Sequence, residues 1–310
     1  MNLMDEIIRL FDGSLIISCW KYIFPVLVVL YVIISIYDKY RYGGKKTKEN
    51  NGTATAATAP ANAVKEKLDG IEYVGEIDSG EFDPTPFLEE KEHVPFAGAT
   101  VTLNKDPLKA ATHFYEIVNN RRSVRMFSTR PVDASIVEKC IHAAATSPSG
   151  AHTEPWTFCL ISDADVKAQV REIIEAEELV NYQQRMSKQW TTDLRPLKTN
   201  HVKEYLTEAP YLILIFKQTY GFKPDGGKKQ HYYNEISTSI ATGILLCALQ
   251  AAGLNSLVTT PLNCGPALRN LLGRPVNEKL LVPLPVGYAA DGCLVPDLQR
   301  KPVEEVVVKY

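Results

Sequence analysis

The feature that most constrains the fold of this chain is an apolar run close to its N-terminus. Residues 15–37 are almost entirely apolar or aromatic, interrupted by one lysine and one proline, and a run of this length can cross a bilayer as a helix. A cleaved signal peptide is the rival interpretation. It is disfavoured by the preceding acidic residues Asp5, Glu6 and Asp12 and by the lack of a small-x-small cleavage site after the run. We therefore predict a single-pass transmembrane anchor.

The residues after the anchor predict how the rest of the chain is arranged. Five cations follow directly, namely Lys39, Arg41, Lys45, Lys46 and Lys48, so the positive-inside rule places the C-terminal bulk in the cytoplasm. Residues 43–67 contain too little apolar surface to offset the conformational entropy of an ordered chain, and an acidic stretch follows. The chain thus divides into a short N-terminal segment (1–14), the anchor (15–37), a flexible tether (38–92) and a globular domain (93–310).

Charge and cysteine usage exclude several classes of function. The formal net charge of -2 gives no basic face for nucleic acid, so we expect no nucleic-acid partner. The six cysteines show no CxxC spacing and no partnering histidine cluster, which argues against a metal site. Most of them lie within apolar patterns, so we interpret them as reduced core residues in a reducing compartment.

Helix and strand patterns alternate irregularly along the globular domain. Asp106, Asp133 and Asp163 are the predicted N-caps of three helices, at 107–119, at 136–145 and from residue 163 onward. A fourth helix covers about 232–252 and ends at Gly253. The predicted strands are 156–162, 211–216, 256–260, 280–287 and 303–308. Because two helices precede any strong strand, the pattern favours an α+β fold with a mixed central sheet flanked by helices.

Two polar segments suggest a cofactor with a phosphate group. Arg121, Arg122 and Arg125 surround Ser123, and about 25 residues later the stretch 147–156 joins a helix to a strand with small hydroxyl residues, Pro and Gly. Arginines and exposed backbone N–H groups bind anions. Each segment alone is as well explained by a basic turn or an ordinary loop. No GxGxxG, Walker, HExxH or GxSxG motif occurs, which disfavours a nicotinamide-binding Rossmann domain and P-loop chemistry.

Three further groups of residues are candidates for binding. Hydroxyls of Thr259 and Thr260, at a strand end, could donate to a heteroaromatic ring, although strand propensity alone also explains them. Glu178 and Tyr182 share one helix face, and with Lys203 they could chelate an amino-acid zwitterion. Spacing alone favours a salt-bridged helix surface for this trio. Arg300 is a further candidate for a phosphate ligand, although its position alone favours an ordinary surface pair with Asp297.

Taken together, these segments resemble the nitroreductase-type flavoproteins, and most specifically their iodotyrosine deiodinase branch. The resemblance extends from about residue 93 to the C-terminus. It is carried by RRSVR (121–125), SPSGAHTEPWTF (147–158), HYYNEIS (231–237), TTPLNCGP (259–266) and VPDLQRKP (295–302). RRSVR indicates only the broad flavin family, whereas SPSGAHTEPW and TTPLNCGP are much more specific to the deiodinase branch.

The resemblance implies a domain-swapped homodimer with FMN at each subunit interface and extended terminal segments that embrace the partner. The implied FMN ligands are Arg121, Arg122, Ser123, Val124, Arg125, Pro148, Ser149, Val258, Thr259, Thr260 and Arg300. Thr260 is the implied catalytic residue, because its hydroxyl would donate to flavin N5 and favour one-electron steps. Glu178, Tyr182 and Lys203 match the family's mobile substrate lid, and the backbone N–H of Ala151 would meet the substrate phenolate.

The implied activity is the reductive deiodination of mono- and diiodotyrosine to tyrosine and iodide. NADPH would be the ultimate reductant, and a separate reductase would deliver its electrons because no nicotinamide site is visible in the sequence. Two alternatives remain open at this point. One is a general NAD(P)H-dependent nitro- or quinone reductase on the same scaffold, and the other is a membrane-tethered flavin-binding regulator of another membrane protein.

Overall fold

The computed structural model describes residue 86 and residues 88–96, 106–223 and 225–310, which belong to one compact unit, Gly80–Tyr310. The predicted N-terminal segment, the anchor and most of the tether lie outside the described residues. Within the described part of the chain, no helix combines the length and the apolar character needed to cross a membrane.

The three predicted aspartate N-caps are confirmed, although the helix predicted from residue 136 begins at Ala134 and the one predicted from about 232 begins at Asn234. The carboxylates of Asp106, Asp133 and Asp163 each accept a hydrogen bond from a backbone N–H of the first turn, as expected of N-caps. Gly253 follows the sixth helix with a φ of 75°, which confirms it as the residue that ends this helix. The helices are α1 (Pro107–Asn119), α2 (Ala134–Ala145), α3 (Ala164–Val180), α4 (Lys188–Asp193), α5 (Tyr205–Glu208), α6 (Asn234–Ala251), α7 (Gly265–Leu271) and α8 (Val303–Val306).

Four strands form the central sheet, in the order β1–β2–β6–β5, and β3 and β4 form a separate hairpin. The strands are β1 (Trp156–Ile161), β2 (Tyr211–Gln218), β3 (Tyr220–Phe222), β4 (Lys228–Gln230), β5 (Asn255–Ser256) and β6 (Glu278–Gly287). Every strand pair in the described residues is antiparallel, so the prediction of a mixed sheet was wrong for these strands. A sequence pattern identifies strands but not their relative direction. One isolated parallel bridge, between Ser123 and Ser256, is the exception.

Two of the predicted strands differ from the structure. The strand predicted at 256–260 pairs only through residue 256, although the N–H groups of Leu257 and Thr259 still donate to Pro285 O and Pro283 O on β6 (3.4 and 3.3 Å). Pro283 and Pro285 have no N–H group that could donate back to this segment, so regular pairing between β5 and β6 ends at residue 256. The strand predicted at 303–308 is wrong, because residues 303–306 form the single turn α8. Acidic residues in its first turn favour a helix start.

The core consists of two apolar layers, one on each face of the sheet. Alternation along β2 supplies both layers, with Leu212, Leu214 and Phe216 on one face and Ile213 and Ile215 on the other. The first layer packs against α3, α5 and α7, and the second against α2 and α6. The sheet is therefore flanked by helices, as predicted for an α+β fold. The first layer also holds the chain segments that converge on the candidate site.

Candidate active site

Two adjoining cavities lie next to the central sheet. The first, which we call the lid cavity, has a volume of about 150 Å³ and lies between the end of α3, residues 199–205 and residues 257–262. The second, which we call the arginine cavity, has a volume of about 320 Å³ and lies between residues 121–125 and 295–300. Arg125 and Leu197 line both, so the two cavities share a wall.

Four arginines line the arginine cavity, namely Arg121, Arg122, Arg125 and Arg300. Arg122 donates to the carbonyl of Pro296, and Arg300 donates to Asn119 O and Oδ1 (3.0 Å each) and to Arg121 O (3.1 Å). These bonds hold the C-terminal segment against the end of α1. None of the four forms an ion pair with a carboxylate in the described chain. Because their charges are not compensated, the cavity favours a multiply charged anion.

An oppositely charged pair lies at one side of the lid cavity. The ammonium of Lys203 is 3.3 Å from Glu178 Oε2, and the two residues are only 4% and 8% exposed. Tyr182 lies beside them, with the Lys203 Nζ 5.5 Å from its ring centroid. Burial lowers the pKa of Lys203, although the neighbouring Glu178 carboxylate opposes this shift. Burial also raises the pKa of Tyr182, so its phenol is a hydrogen-bond donor at neutral pH.

Helix geometry places Glu178 and Tyr182 next to each other, and a separate contact brings Lys203 to them. Glu178 is in the last turn of α3, and Tyr182 follows four residues later in a π-helix, Asn181–Arg185, that continues α3. Lys203 reaches the same cavity because its backbone N–H donates to the Glu175 carboxylate at 2.6 Å. Glu175 is itself held by Arg171 at 2.7 Å. Glu175 was not among the predicted site residues, because its role depends on a contact between residues 28 positions apart.

The opposite wall of the lid cavity is the extended segment Val258–Thr260. The Thr260 side chain is exposed, whereas the Thr259 hydroxyl accepts a hydrogen bond from Tyr205 Oη at 3.4 Å. Burial raises the pKa of Tyr205 to about 12, so this phenol stays protonated. Tyr205 was not among the predicted site residues. Its position just after Lys203, in a segment that the sequence had marked for the substrate lid, was the available signal.

The loop that precedes β1 has an unusual backbone. Ala151, His152 and Glu154 have φ values of 48°, 53° and 46°, and the Ser149 hydroxyl accepts from Glu154 N at 3.0 Å. A Cβ added to Gly150 would lie 2.7 Å from the carbonyl oxygen of Tyr232, so only glycine permits this close approach. Left-handed residues concentrated in one loop are typical of functional sites.

The structure brings most of the predicted site residues to the two cavities. The lid cavity is lined by Arg125, Glu178, Tyr182, Lys203, Val258, Thr259 and Thr260, and the arginine cavity by Arg121, Arg122, Ser123, Arg125 and Arg300. The Val124 side chain is instead 3% exposed in the core, so only its backbone is available to a ligand. Pro148, Ser149 and Ala151 line neither cavity of the described chain. No cluster of three or more metal-ligating side chains occurs in the described ranges.

Comparisons with known proteins identify the relatives of this chain. The model of the nitroreductase family matches residues 118–288. An iodotyrosine deiodinase of Drosophila melanogaster is 52% identical over 309 residues, covering 99% of both chains. Iodotyrosine deiodinase 1 of Homo sapiens is 47% identical, covering 92% of this chain and 98% of its own. The crystal structure of an oxidised iodotyrosine deiodinase bound to FMN and 3-iodo-L-tyrosine superposes with a TM-score of 0.54 at 29% identity, covering 64% of this chain and 98% of that one.

Proposed function

The chain belongs to the nitroreductase family and, within it, to the iodotyrosine deiodinases, and on this premise we propose that it removes iodide reductively from mono- and diiodotyrosine. The observation that carries the proposal is the buried pair of Glu178 and Lys203 beside Tyr182, in a cavity that adjoins four arginines. A general reductase of flat aromatic compounds has no need of two buried opposite charges at its binding site.

The residues of the arginine cavity fit the phosphate of FMN. A phosphate monoester carries nearly two negative charges at neutral pH, and the uncompensated guanidinium groups of Arg121, Arg122, Arg125 and Arg300 match it in charge and in planar donor geometry. Ser123 adds a hydroxyl to the same cavity. The Thr260 hydroxyl, on the wall of the adjoining cavity, would be available as a donor to the flavin ring. Bound here and reduced, FMN would supply the electrons for cleavage of the carbon–iodine bond.

The charged pair in the lid cavity fits the zwitterionic end of an iodotyrosine. The carboxylate of Glu178 would take the substrate ammonium, and Lys203 and Tyr182 would take the substrate carboxylate. Since Glu178 and Lys203 already neutralise each other, a zwitterion exchanges one set of ion pairs for another and leaves no buried charge unpaired. A ligand with only one of the two charges would leave either Glu178 or Lys203 buried without an oppositely charged partner.

The reaction needs two electrons and one proton. The carbon–iodine bond breaks, iodide leaves, and the ring carbon that carried iodine takes the proton. We infer that the Ala151 N–H binds the substrate phenolate, which keeps the ring oriented while the proton is added. Because no side chain has to form a covalent bond, the protein acts by binding, orienting and excluding water.

We propose that the enzyme is a homodimer in which each subunit completes the other's site. Helix α1 has no buried residue, and it carries Leu108, Phe114 and Tyr115 at 77%, 54% and 60% exposure. Helix α6 adds Ile236 and Ile240, four residues apart and both exposed. Apolar groups gathered on two adjacent helices are typical of a subunit interface. The loop of Ala151 lines neither cavity of one chain, so a second subunit would have to bring it to the substrate.

The membrane anchor and the source of electrons remain part of the proposal. The apolar run 15–37 would hold the enzyme at a membrane with the catalytic domain in the cytoplasm. NADPH would be the ultimate reductant and a separate flavin reductase would transfer its electrons, since the sequence contains no dinucleotide-binding fingerprint.

Turnover of the detergent-solubilised full-length protein tests the function. We expect a flavin spectrum in the purified protein and, with dithionite as reductant, conversion of diiodotyrosine to tyrosine with release of iodide. Bound flavin without any iodide release would contradict deiodination while leaving the cofactor assignment intact. Absence of flavin from protein that is otherwise folded would contradict both.

A further inference from the structure

Asn181 occupies the junction between the lid and the flavin-side wall. It is 0% exposed and is the first residue of the π-helix, where its carbonyl accepts from Met186 N–H at 2.8 Å. Its side-chain amide donates to Glu178 Oε1 (3.0 Å) and to Leu262 O (3.2 Å). Its amide oxygen accepts from Arg185 (3.0 Å) and from the Asn263 amide (3.4 Å). All four hydrogen-bonding positions of this buried amide are therefore used.

The chemistry of the neighbours fixes which way the amide faces. The Arg185 guanidinium can only donate, so it must face the amide oxygen, whereas the Glu178 carboxylate and the Leu262 carbonyl can only accept. A flipped amide would set an oxygen against two acceptors in a buried site, which is strongly unfavourable. The NH₂ group of Asn181 is thus held toward Glu178.

This arrangement assigns the two oxygens of the Glu178 carboxylate to different partners. Oε1 accepts from Asn181, and Oε2 faces Lys203 at 3.3 Å. The same amide also donates a hydrogen bond to the backbone carbonyl of Leu262, two residues after Thr260. Its position therefore sets where the carboxylate lies relative to the wall that carries the threonine hydroxyls.

We propose that Asn181 is a positioning residue that orients the Glu178 carboxylate toward the ammonium group of the substrate, an inference that rests on the proposed function. Asn181 contacts no part of the amino acid in this scheme, because its donors are committed to Glu178 and Leu262. Its influence on recognition of the ammonium group therefore passes through Glu178, whereas its bond to Leu262 O fixes the cavity wall and affects both ligands alike.

Two ligands and two substitutions separate this role from a general structural one. The ligands are 3-iodo-L-tyrosine and its deamino analogue 3-(4-hydroxy-3-iodophenyl)propanoate, which has no ammonium group, and binding is followed by flavin fluorescence in the oxidised holoenzyme. Asn181→Ala removes the amide, and Asn181→Asp keeps its size but turns an oxygen toward Glu178. Asn277→Ala is the matched control, because Asn277 is a buried asparagine (4% exposed) that lines neither cavity.

Asn181→Ala should weaken iodotyrosine binding about tenfold, the loss expected for one hydrogen bond to a charged group, and should change binding of the deamino analogue by less than about twofold. Asn181→Asp should show the same selective loss. In a Glu178→Gln background the effect of Asn181→Ala on iodotyrosine should shrink to about twofold or less, because its target is gone. Asn277→Ala should leave the affinity ratio of the two ligands unchanged.

Equal losses for both ligands, additive effects in the double variant, or loss of flavin from both Asn181 variants would overturn the proposal. Failure of the unmodified holoenzyme to bind iodotyrosine more tightly than the deamino analogue would instead refute zwitterion recognition itself. The two failures are therefore distinguishable.

Discussion

Among single residues, the buried Glu178–Lys203 pair is the feature to which the proposed function assigns substrate selection. Two charges held 3.3 Å apart at low exposure are costly to desolvate, and removal of one partner leaves the other buried without compensation. Both members of the pair line the lid cavity, so the carboxylate and the ammonium group are both available to a ligand there.

Glu178→Gln should therefore weaken iodotyrosine binding by at least about tenfold, because the substrate ammonium loses its carboxylate partner. Reduction of a nitroarene with dithionite as electron source should change by less than about twofold, since such a substrate has no ammonium group. Flavin titration gives the first quantity and absorbance of the nitroarene the second. Equal impairment of both activities would show that Glu178 supports the flavin site in general.

Sequence reasoning finds some of these residues and not others for a physical reason. Glu178 and Tyr182 are four residues apart, so helical spacing alone places them on one face. Lys203 lies 25 residues after Glu178 in the sequence. It comes close to Glu178 only because its backbone N–H donates a hydrogen bond to the Glu175 carboxylate, which folds the intervening segment back onto α3. Asn181 carries no signal in the sequence, because its importance arises from four contacts made on folding.

At the scale of elements, the loop before β1 is tied to the start of α6 by the approach of Gly150 to the Tyr232 carbonyl. Gly150→Ala would place a methyl group 2.7 Å from that oxygen, so the loop must move. We expect a loss of about 1–3 kcal/mol in the free energy of unfolding, the usual cost of overpacking, together with weaker iodotyrosine binding through the displaced Ala151.

Gly265→Ala is the matched control for that change. The added Cβ at Gly265 would lie 3.5 Å from Leu280 Cβ, an ordinary van der Waals contact. Chemical denaturation and ligand titration of both variants provide the comparison. If Gly150→Ala were as stable and as active as the unmodified protein, the loop could not be held by this contact.

Glu278, at the start of β6, connects three elements of the sheet region. Its carboxylate accepts two hydrogen bonds from Arg274 (2.8 Å each) and one from the Thr157 hydroxyl on β1 (2.6 Å). Burial alone would raise the pKa of Glu278, but the Arg274 and Thr157 hydrogen bonds outweigh it and leave the pKa below its ordinary value of 4.5.

Because its pKa is lowered on folding, Glu278 stabilises the native state at pH values above 4.5 and loses this contribution as the pH falls through the folded-state pKa. Glu278→Gln should therefore lower the free energy of unfolding by about 2 kcal/mol at pH 7, somewhat less than the loss of a fully buried ion pair would cost, because Arg274 is 34% exposed. The free energy of unfolding of this variant should also fall less on acidification than that of the unmodified protein. Urea denaturation at pH 7 and pH 4 tests this.

Glu235→Gln is the control, because Glu235 forms an exposed pair with Lys217, and it should lower the free energy of unfolding by less than about 1 kcal/mol. A Glu278→Gln variant with an unchanged acid dependence would contradict the assignment.

Element boundaries could be predicted from the sequence where residues within one turn determine them. They could not be predicted where a neighbouring strand determines them. The aspartate caps of α1, α2 and α3 were predicted, because capping depends on residues within one turn. The early end of β5 could not be predicted, since it depends on Pro283 and Pro285 in a strand more than 20 residues away. The valines of α8 have strand propensity, but their side chains are exposed and their backbone pairs with no strand within the described residues.

For the whole molecule, the exposed apolar side chains of α1 and α6 are the surface through which we propose that two subunits associate. Ile240→Asp should convert this proposed dimer to a monomer, because it would bury a carboxylate without a partner, and the monomer should lose most of its bound flavin. Val276→Asp, at a residue 66% exposed outside both helices, should remain dimeric. Light scattering and the flavin-to-protein ratio provide the readout. A flavin-loaded monomer would contradict the shared site.

The general architecture was predictable because it depends on patterns repeated over many residues. Alternation in β2 and the apolar stripes of the helices indicate an α+β domain, and the motif resemblance indicates the family. The direction of strand pairing was not predictable, because an antiparallel strand and a parallel one bury the same side chains. The membrane anchor and the tether stay predictions, since the anchor and most of the tether lie outside the described residues.

A single-turnover experiment distinguishes reductive deiodination from other flavin chemistry. The holoenzyme would be reduced stoichiometrically without oxygen and mixed with one equivalent of monoiodotyrosine, and the oxidised flavin, tyrosine and iodide would be quantified. We expect one tyrosine and one iodide for each flavin that is reoxidised. Reoxidation of the flavin without release of iodide, or a reduced flavin that is unaffected by the substrate, would contradict it.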